Sequence, residues 1–180
     1  MKKIVLMAVM AIVSLTANAQ AYVGGQFGFG VSKTRLTGEF QKGQTSTDVF
    51  KIAPEVGYNF NKKVAIGMSA GIGLTSVTDM DHVTEVAVSP YFRYKFVQSG
   101  PITVFSDVVA EWSSTLVKDE TASAYGIGLR PGVSVDLGKN WSAAATTILF
   151  AHKYWADDEI SQTQFNINPS QLSVGFYYNF

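Results

Sequence analysis

The chain has no cysteine, no surplus of either charge, little leucine and only two histidines, and each shortage removes a class of protein. Without cysteine there are no disulfide staples, no thiolate metal site and no lipid-modified N-terminal cysteine. Fourteen Lys and Arg against fourteen Asp and Glu leave no net charge, so bulk electrostatics draws the chain neither to nucleic acid nor to an acidic membrane surface. After the opening residues no apolar stretch approaches the roughly 20 residues of a spanning helix, and no capped helix can be picked out. What is abundant is Tyr, Phe, Val, Thr and Gly, a composition that favours strands.

The opening residues have their own pattern. Lys2 and Lys3 precede an apolar run from Ile4 to Leu15, and Ala17-Asn18-Ala19 is a small-x-small triplet. This predicts a secretory signal peptide over 1–19, cleaved at the site marked by Ala17 and Ala19, and a single domain over 20–180. The run is too short for a transmembrane anchor.

Beyond it, apolar and polar residues alternate with period two, as in strands with one greasy face. The alternation predicts strands over Ala21 to Lys33, Asp48 to Phe60, Val64 to Val77, Val86 to Phe96, Ile102 to Ser114, Tyr125 to Leu137, Trp141 to Ala151 and Gln164 to Phe180. Tight turns are expected at Asn61-Lys62-Lys63, Gln98 to Pro101 and Gly138-Lys139-Asn140, and polar loops at Thr34 to Thr47, Thr78 to Val83, Thr115 to Thr121 and His152 to Thr163. The facing of the seventh strand, rich in Ala and Thr, cannot be read from the pattern. The eighth changes phase near Pro169-Ser170, which suggests a bulge.

A repeat supports this division. Pro54, Pro90, Pro131 and Pro169 fall one in each even strand, each with an apolar residue two places before it: Ile52, Val88, Leu129 and Ile167. One hairpin of about 40 residues is used four times. Since proline removes a ladder donor, each copy is expected near a strand end or a bulge.

The facing of the charges chooses the architecture. Lys51, Glu55, Glu85, Arg93, Lys95, Asp107, Glu111, Arg130 and Asp136 all lie opposite the apolar stripe. On a lipid-facing side Lys or Arg would cost roughly 2–4 kcal/mol near the midplane, so these residues are expected to point into a lumen. A soluble lipocalin-like barrel would place the charges outside and the stripe within. Tyr58, Phe60, Tyr94, Phe96, Trp141, Tyr178 and Phe180 gather at the short-turn end, where an aromatic girdle belongs. Lipid cannot satisfy an open sheet edge, so the last strand must pair with the first. The expected fold is all-β: an eight-stranded antiparallel up-and-down transmembrane β-barrel.

The hairpin motif P-E-V-G-Y-N-F, the following V-A-I-G-M-S-A-G-I-G and the terminal Y-Y-N-F resemble the small outer-membrane β-barrel family, in the OmpA/OmpX-like superfamily. The resemblance implies a place in the outer membrane of a Gram-negative cell, among membrane lipids and lipopolysaccharide. It also implies that Phe180, with Tyr178 and Phe176, is the sorting signal read by the barrel-assembly machinery. Fold analogy does not supply a function.

An eight-stranded barrel is just wide enough to be filled by its own side chains. Five acidic and four basic inward residues are expected to pair as a lumen charge network, because unpaired buried charges are costly. That favours a structural envelope role. The glycine-lined faces of the first and third strands leave room for water, so a small pore is the alternative. A lipid-modifying enzyme is the remote one: His82 beside Asp79 and Asp81, and His152 near Asp157 and Asp158, sit at loop ends without the His-x-Ser pairing of lipid-A deacylase barrels. No enzyme activity, metal, cofactor or nucleic-acid partner is expected. A host or envelope ligand is expected to meet the protein, if at all, through the long loops.

Overall fold

The structure is a computed structural model, and it describes residues 20–37, 42–77, 83–117, 120–156, 160–165 and 172–180. The predicted signal peptide with Ala17 and Ala19, the His82, Asp79 and Asp81 group, Asp157, Asp158 and Pro169 lie outside the described residues.

The described residues form ten strand segments: β1 (Ala21–Thr37), β2 (Lys42–Asn59), β3 (Val64–Val77), β4 (Val83–Ser99), β5 (Ile102–Val117), β6 (Glu120–Gly138), β7 (Trp141–Thr146), β8 (Phe150–Trp155), β9 (Ile160–Phe165) and β10 (Ser173–Asn179). Every pairing is antiparallel. β1 to β6 pair in sequence, β7 and β8 both pair with β6, β10 joins β7 to β1, and β9 pairs with β8. β7 with β8, and β9 with β10, each stand for one wall strand, which makes a closed eight-stranded barrel. Its closure runs from Tyr22↔Asn179 to Gly28↔Ser173, and the Phe180 amide donates to the Ala21 carbonyl at 3.0 Å. The last strand thus pairs with the first, as the sequence requires.

The period-two reading of the wall holds. Phe27, Ile52, Met68, Phe92, Val108, Ile127, Val133 and Phe176 are exposed around the outside, while Glu55, Asp107 and Arg93 are buried within. Tight turns close one end. Asn61 Oδ1 accepts the amides of Lys63 and Val64 at 2.8 and 2.9 Å, and Gly138, Lys139 and Asn140 take left-handed backbone angles suited to a short hairpin.

The prolines sit where the ladder is interrupted. β2 and β3 lose pairing at Ala53 and Pro54, β4 and β5 at Ser89 and Pro90, and β6 has no Cα partner at Arg130 and Pro131 on its β7/β8 side. At the last site Gly132 faces Thr146 while Leu129 faces Phe150, so three residues, 147–149, oppose two. This bulge shifts the phase of the seventh strand and explains why its facing is illegible from one alternation. Ala144 and Thr146 point inward below it; Lys153 points inward above it.

Two loops are shorter than the sequence suggests. β1 and β2 remain paired to Thr37↔Lys42, inside the predicted loop Thr34 to Thr47, and much of His152 to Thr163 is the β8–β9 hairpin. Strands of 16 to 19 residues outrun the roughly 9–11 needed to cross the bilayer. Past the hydrocarbon both faces meet water, so the alternation fades while backbone pairing continues.

Candidate functional site

The lumen contains a polar plug. Alternation puts Tyr22 and Gln26 of β1, Glu55 of β2, Tyr91 and Arg93 of β4, Phe105 and Asp107 of β5, Arg130 of β6, Thr146 of β7 and Tyr177 of β10 on the inner face. Asp107 is its electrostatic centre. Arg93 donates from Nε to Oδ1 at 2.7 Å and from Nη2 to Oδ2 at 2.9 Å, while Arg130 donates from Nε and Nη2 to Oδ2 at 3.0 and 2.7 Å. A carboxylate accepting a bidentate guanidinium is the strong form of such a bond, and here one carboxylate engages two arginines. Glu55 completes the charge balance, 3.5 Å from Arg93 and 3.8 Å from Arg130.

Neutral groups satisfy the remaining lone pairs. Tyr91 donates its hydroxyl hydrogen to Glu55 Oε1, so the 2.6 Å contact between Tyr22 and Tyr91 has Tyr22 as donor. The Gln26 amide donates to Glu55 Oε2 and to the Tyr177 hydroxyl, each at 2.9 Å, and its oxygen accepts from Thr146 at 3.0 Å. Arg93 also stacks 4.0 Å above the centre of the Phe105 ring. Glu55 and Asp107, both 0% exposed, therefore have partners on every side.

A second cluster lies toward the long-loop end. Lys153 reaches Glu85 at 2.7 Å and Glu111 at 2.9 Å, and Lys51 holds Glu85 at 3.3 Å. The nine predicted lumen charges therefore do not form one network. Glu55, Arg93, Asp107 and Arg130 are the plug; Lys51, Glu85 and Glu111 belong to the upper cluster. Lys95 donates to Asn59 at 2.8 Å, and among the described residues it makes no ion pair. Asp136 stands at the short-turn mouth of the lumen, exposed to water, where it borders a cavity shared with Arg93 and Lys95 and its side chain accepts the Gly138 amide at 2.9 Å.

The family model of the outer membrane protein beta-barrel domain matches residues 4–180. The chain belongs to that family. No curated protein matches it in sequence. Among solved structures it is similar to the Neisserial surface protein A, NspA, at 14% identity and a TM-score of 0.55, covering 89% of this chain and 97% of that one. It is also similar to the beta domain of the Bordetella autotransporter BrkA, at 13% identity and a TM-score of 0.48, covering 91% and 68%. At such identities the first likeness speaks for the fold alone.

In this outer-membrane barrel the outward side chains include an aromatic belt. Edge-to-face pairs Tyr58–Phe60, Tyr94–Phe96, Trp141–Tyr178 and Tyr178–Phe180, with ring centres 5.0 to 5.4 Å apart, ring the short-turn end. Phe176, Tyr178 and Phe180 share that outer face, whereas Tyr177 between them enters the plug. His152 lies across from Ile127 on the outer face, with Nδ1 2.8 Å from Thr163 Oγ1, away from every lumen carboxylate.

Sequence reasoning missed Lys153 as a lumen residue, because the bulge before it reverses the inward phase. It also left Tyr22, Gln26, Tyr91, Phe105 and Tyr177 without a role. Their signal is in the sequence: Gln26, Tyr91, Phe105 and Tyr177 alternate with the outward stripe of their strands and so share the inner face with the charges.

Proposed function

We infer that this outer-membrane barrel is a non-enzymatic, non-conducting envelope protein that braces the membrane and presents its long-loop end to a ligand of the host or the envelope. The observation that carries this reading is the plug, in which side chains from β1, β2, β4, β5, β6, β7 and β10 bond to one another across the lumen. Opening a path for ions means separating an arginine from Asp107 in a confined space, and breaking a buried pair costs about 3–5 kcal/mol. Catalysis would need a base within reach of a nucleophile in a cleft. His152 is instead on the outer wall beside Thr163.

Export through the signal peptide over 1–19 belongs to the same reading, as do lipid and lipopolysaccharide contacts around the apolar belt. Recognition by the barrel-assembly machinery is assigned to Phe176, Tyr178 and Phe180, whose rings stand on one outward face at the short-turn end. Removal of Phe180 is expected to slow membrane insertion in cells while refolding into detergent proceeds; normal insertion would remove the sorting role.

The decisive measurement is single-channel recording in planar bilayers. The wild-type protein is expected to stay silent, and the double variant Arg93→Ala, Asp107→Ala, which removes charges as a pair, to show discrete openings. Regular openings of the wild type would overturn the plugged reading.

A further inference from the structure

Above the plug, toward the long-loop end, the lumen holds a cavity of about 400 Å³. That is within the range of about 300–1,000 Å³ typical of small-ligand sites. Its floor is Arg130, Gln26 and Thr146 of the plug; its walls carry Lys51, Glu85 and Glu111.

The space is not forced by packing. A Cβ on Gly71 would meet Ala53 at 3.4 Å, and one on Gly73 would meet Lys51 at 3.5 Å, both ordinary contacts. Side chains would fit there and are absent, so the small residues keep a volume empty. Nor are the charged groups saturated. Among the described residues Lys51 has one ion pair, at 3.3 Å, and its side chain is 52% exposed. If Lys51 turns away, Glu85 still keeps Lys153 at 2.7 Å, so no carboxylate is orphaned. Glu111 has only Lys153 among the described residues and retains an accessible face.

The chamber is therefore lined by two cations, Lys51 and Arg130, and two glutamates, Glu85 and Glu111, with both signs available. A singly charged solute gains one attraction and meets one repulsion. A solute with an ammonium and a carboxylate satisfies both ends, replacing the long Lys51–Glu85 pair with shorter charge-assisted bonds. We propose that this chamber is a blind binding pocket for a small ammonium–carboxylate zwitterion of amino-acid or dipeptide size, with Lys51 taking the carboxylate and Glu111 the ammonium.

The pocket is a separate claim from the plug, because a solute held above the plug does not cross it. The test is calorimetric titration of the full-length folded barrel in detergent with alanylalanine, N-acetyl-alanylalanine and alanylalanine amide. Alanylalanine is expected to bind at least about tenfold more tightly than either capped form. Lys51→Met is expected to lower its affinity about tenfold and to abolish its advantage over the amide. Gly73→Val, which fills the cavity, should weaken all binding, and Gly73→Ala serves in its place if the valine variant lacks the heat-modifiable gel shift of a folded barrel. Absence of heat up to about 10 mM alanylalanine, well above the millimolar affinity scale, or equal binding by wild type and the variants, overturns the proposal. Channel recording reads the plug alone, so the two claims fail separately.

Discussion

Two levels of the lumen use glycine in opposite ways. At the level of the plug, glycine is what lets aromatic rings lie flat on the wall: a Cβ on Gly57 would come within 2.2 Å of the Tyr22 ring, one on Gly67 within 2.2 Å of the Tyr91 hydroxyl, and one on Gly132 within 2.6 Å of Phe105. Above the plug, Gly71 and Gly73 face ordinary contacts and open volume. The same residue on the same inner face thus permits dense packing at the plug and keeps space above it. Composition along a strand does not distinguish these cases; what stands opposite does.

The largest effect is expected at the centre of the plug. Asp107→Ala leaves two buried arginines short of their main acceptor, and the expected loss is about 3–5 kcal/mol of unfolding free energy, measured by urea titration of the folded barrel in lipid. A loss comparable to that of an exposed charge would mean that water fills the plug.

Paired glycine substitutions come next. Gly67→Ala drives a methyl against Tyr91, a ring held by hydrogen bonds to Glu55 and Tyr22, and overpacking of this kind costs about 1–3 kcal/mol. Gly73→Ala is expected to change stability by no more than about 0.5 kcal/mol. Equal effects in the same titration would erase the distinction between the two levels.

The smallest effect belongs to the upper cluster. Lys153→Met removes two partly exposed ion pairs and is expected to cost under about 1 kcal/mol, because such pairs are screened. Unfolding at low and at high salt should bring variant and wild type together as salt rises. A difference that survives high salt would place Lys153 in a drier setting than its exposure suggests.

Much of the wall was legible before any coordinates. Strict alternation around Phe27, Ile52, Phe92 and Ile127 separates lipid face from lumen face, because a pleated strand has no third option. The predicted inward charges lie at different heights in the lumen, with Asp136 at its short-turn mouth, still paired with Ser142 in the wall. Lys153 was illegible because the bulge at 147–149 adds one residue and reverses the inward phase after it. The polar ends of β1 and β2 read as a loop because pairing persists after the membrane has stopped imposing an alternation.

The alternation of side chains already specifies a closed membrane barrel, with its charges within and its aromatics at the short-turn end. Period two and the absence of partners in lipid leave no other arrangement for these strands. That Glu55, Arg93, Asp107 and Arg130 meet as one plug, while Lys51, Glu85, Glu111 and Lys153 pair above it beside a cavity, follows only from the closed barrel. Alternation states which face a side chain takes. Its height in the lumen, and so its partner, follows from the stagger of strands around the closed wall.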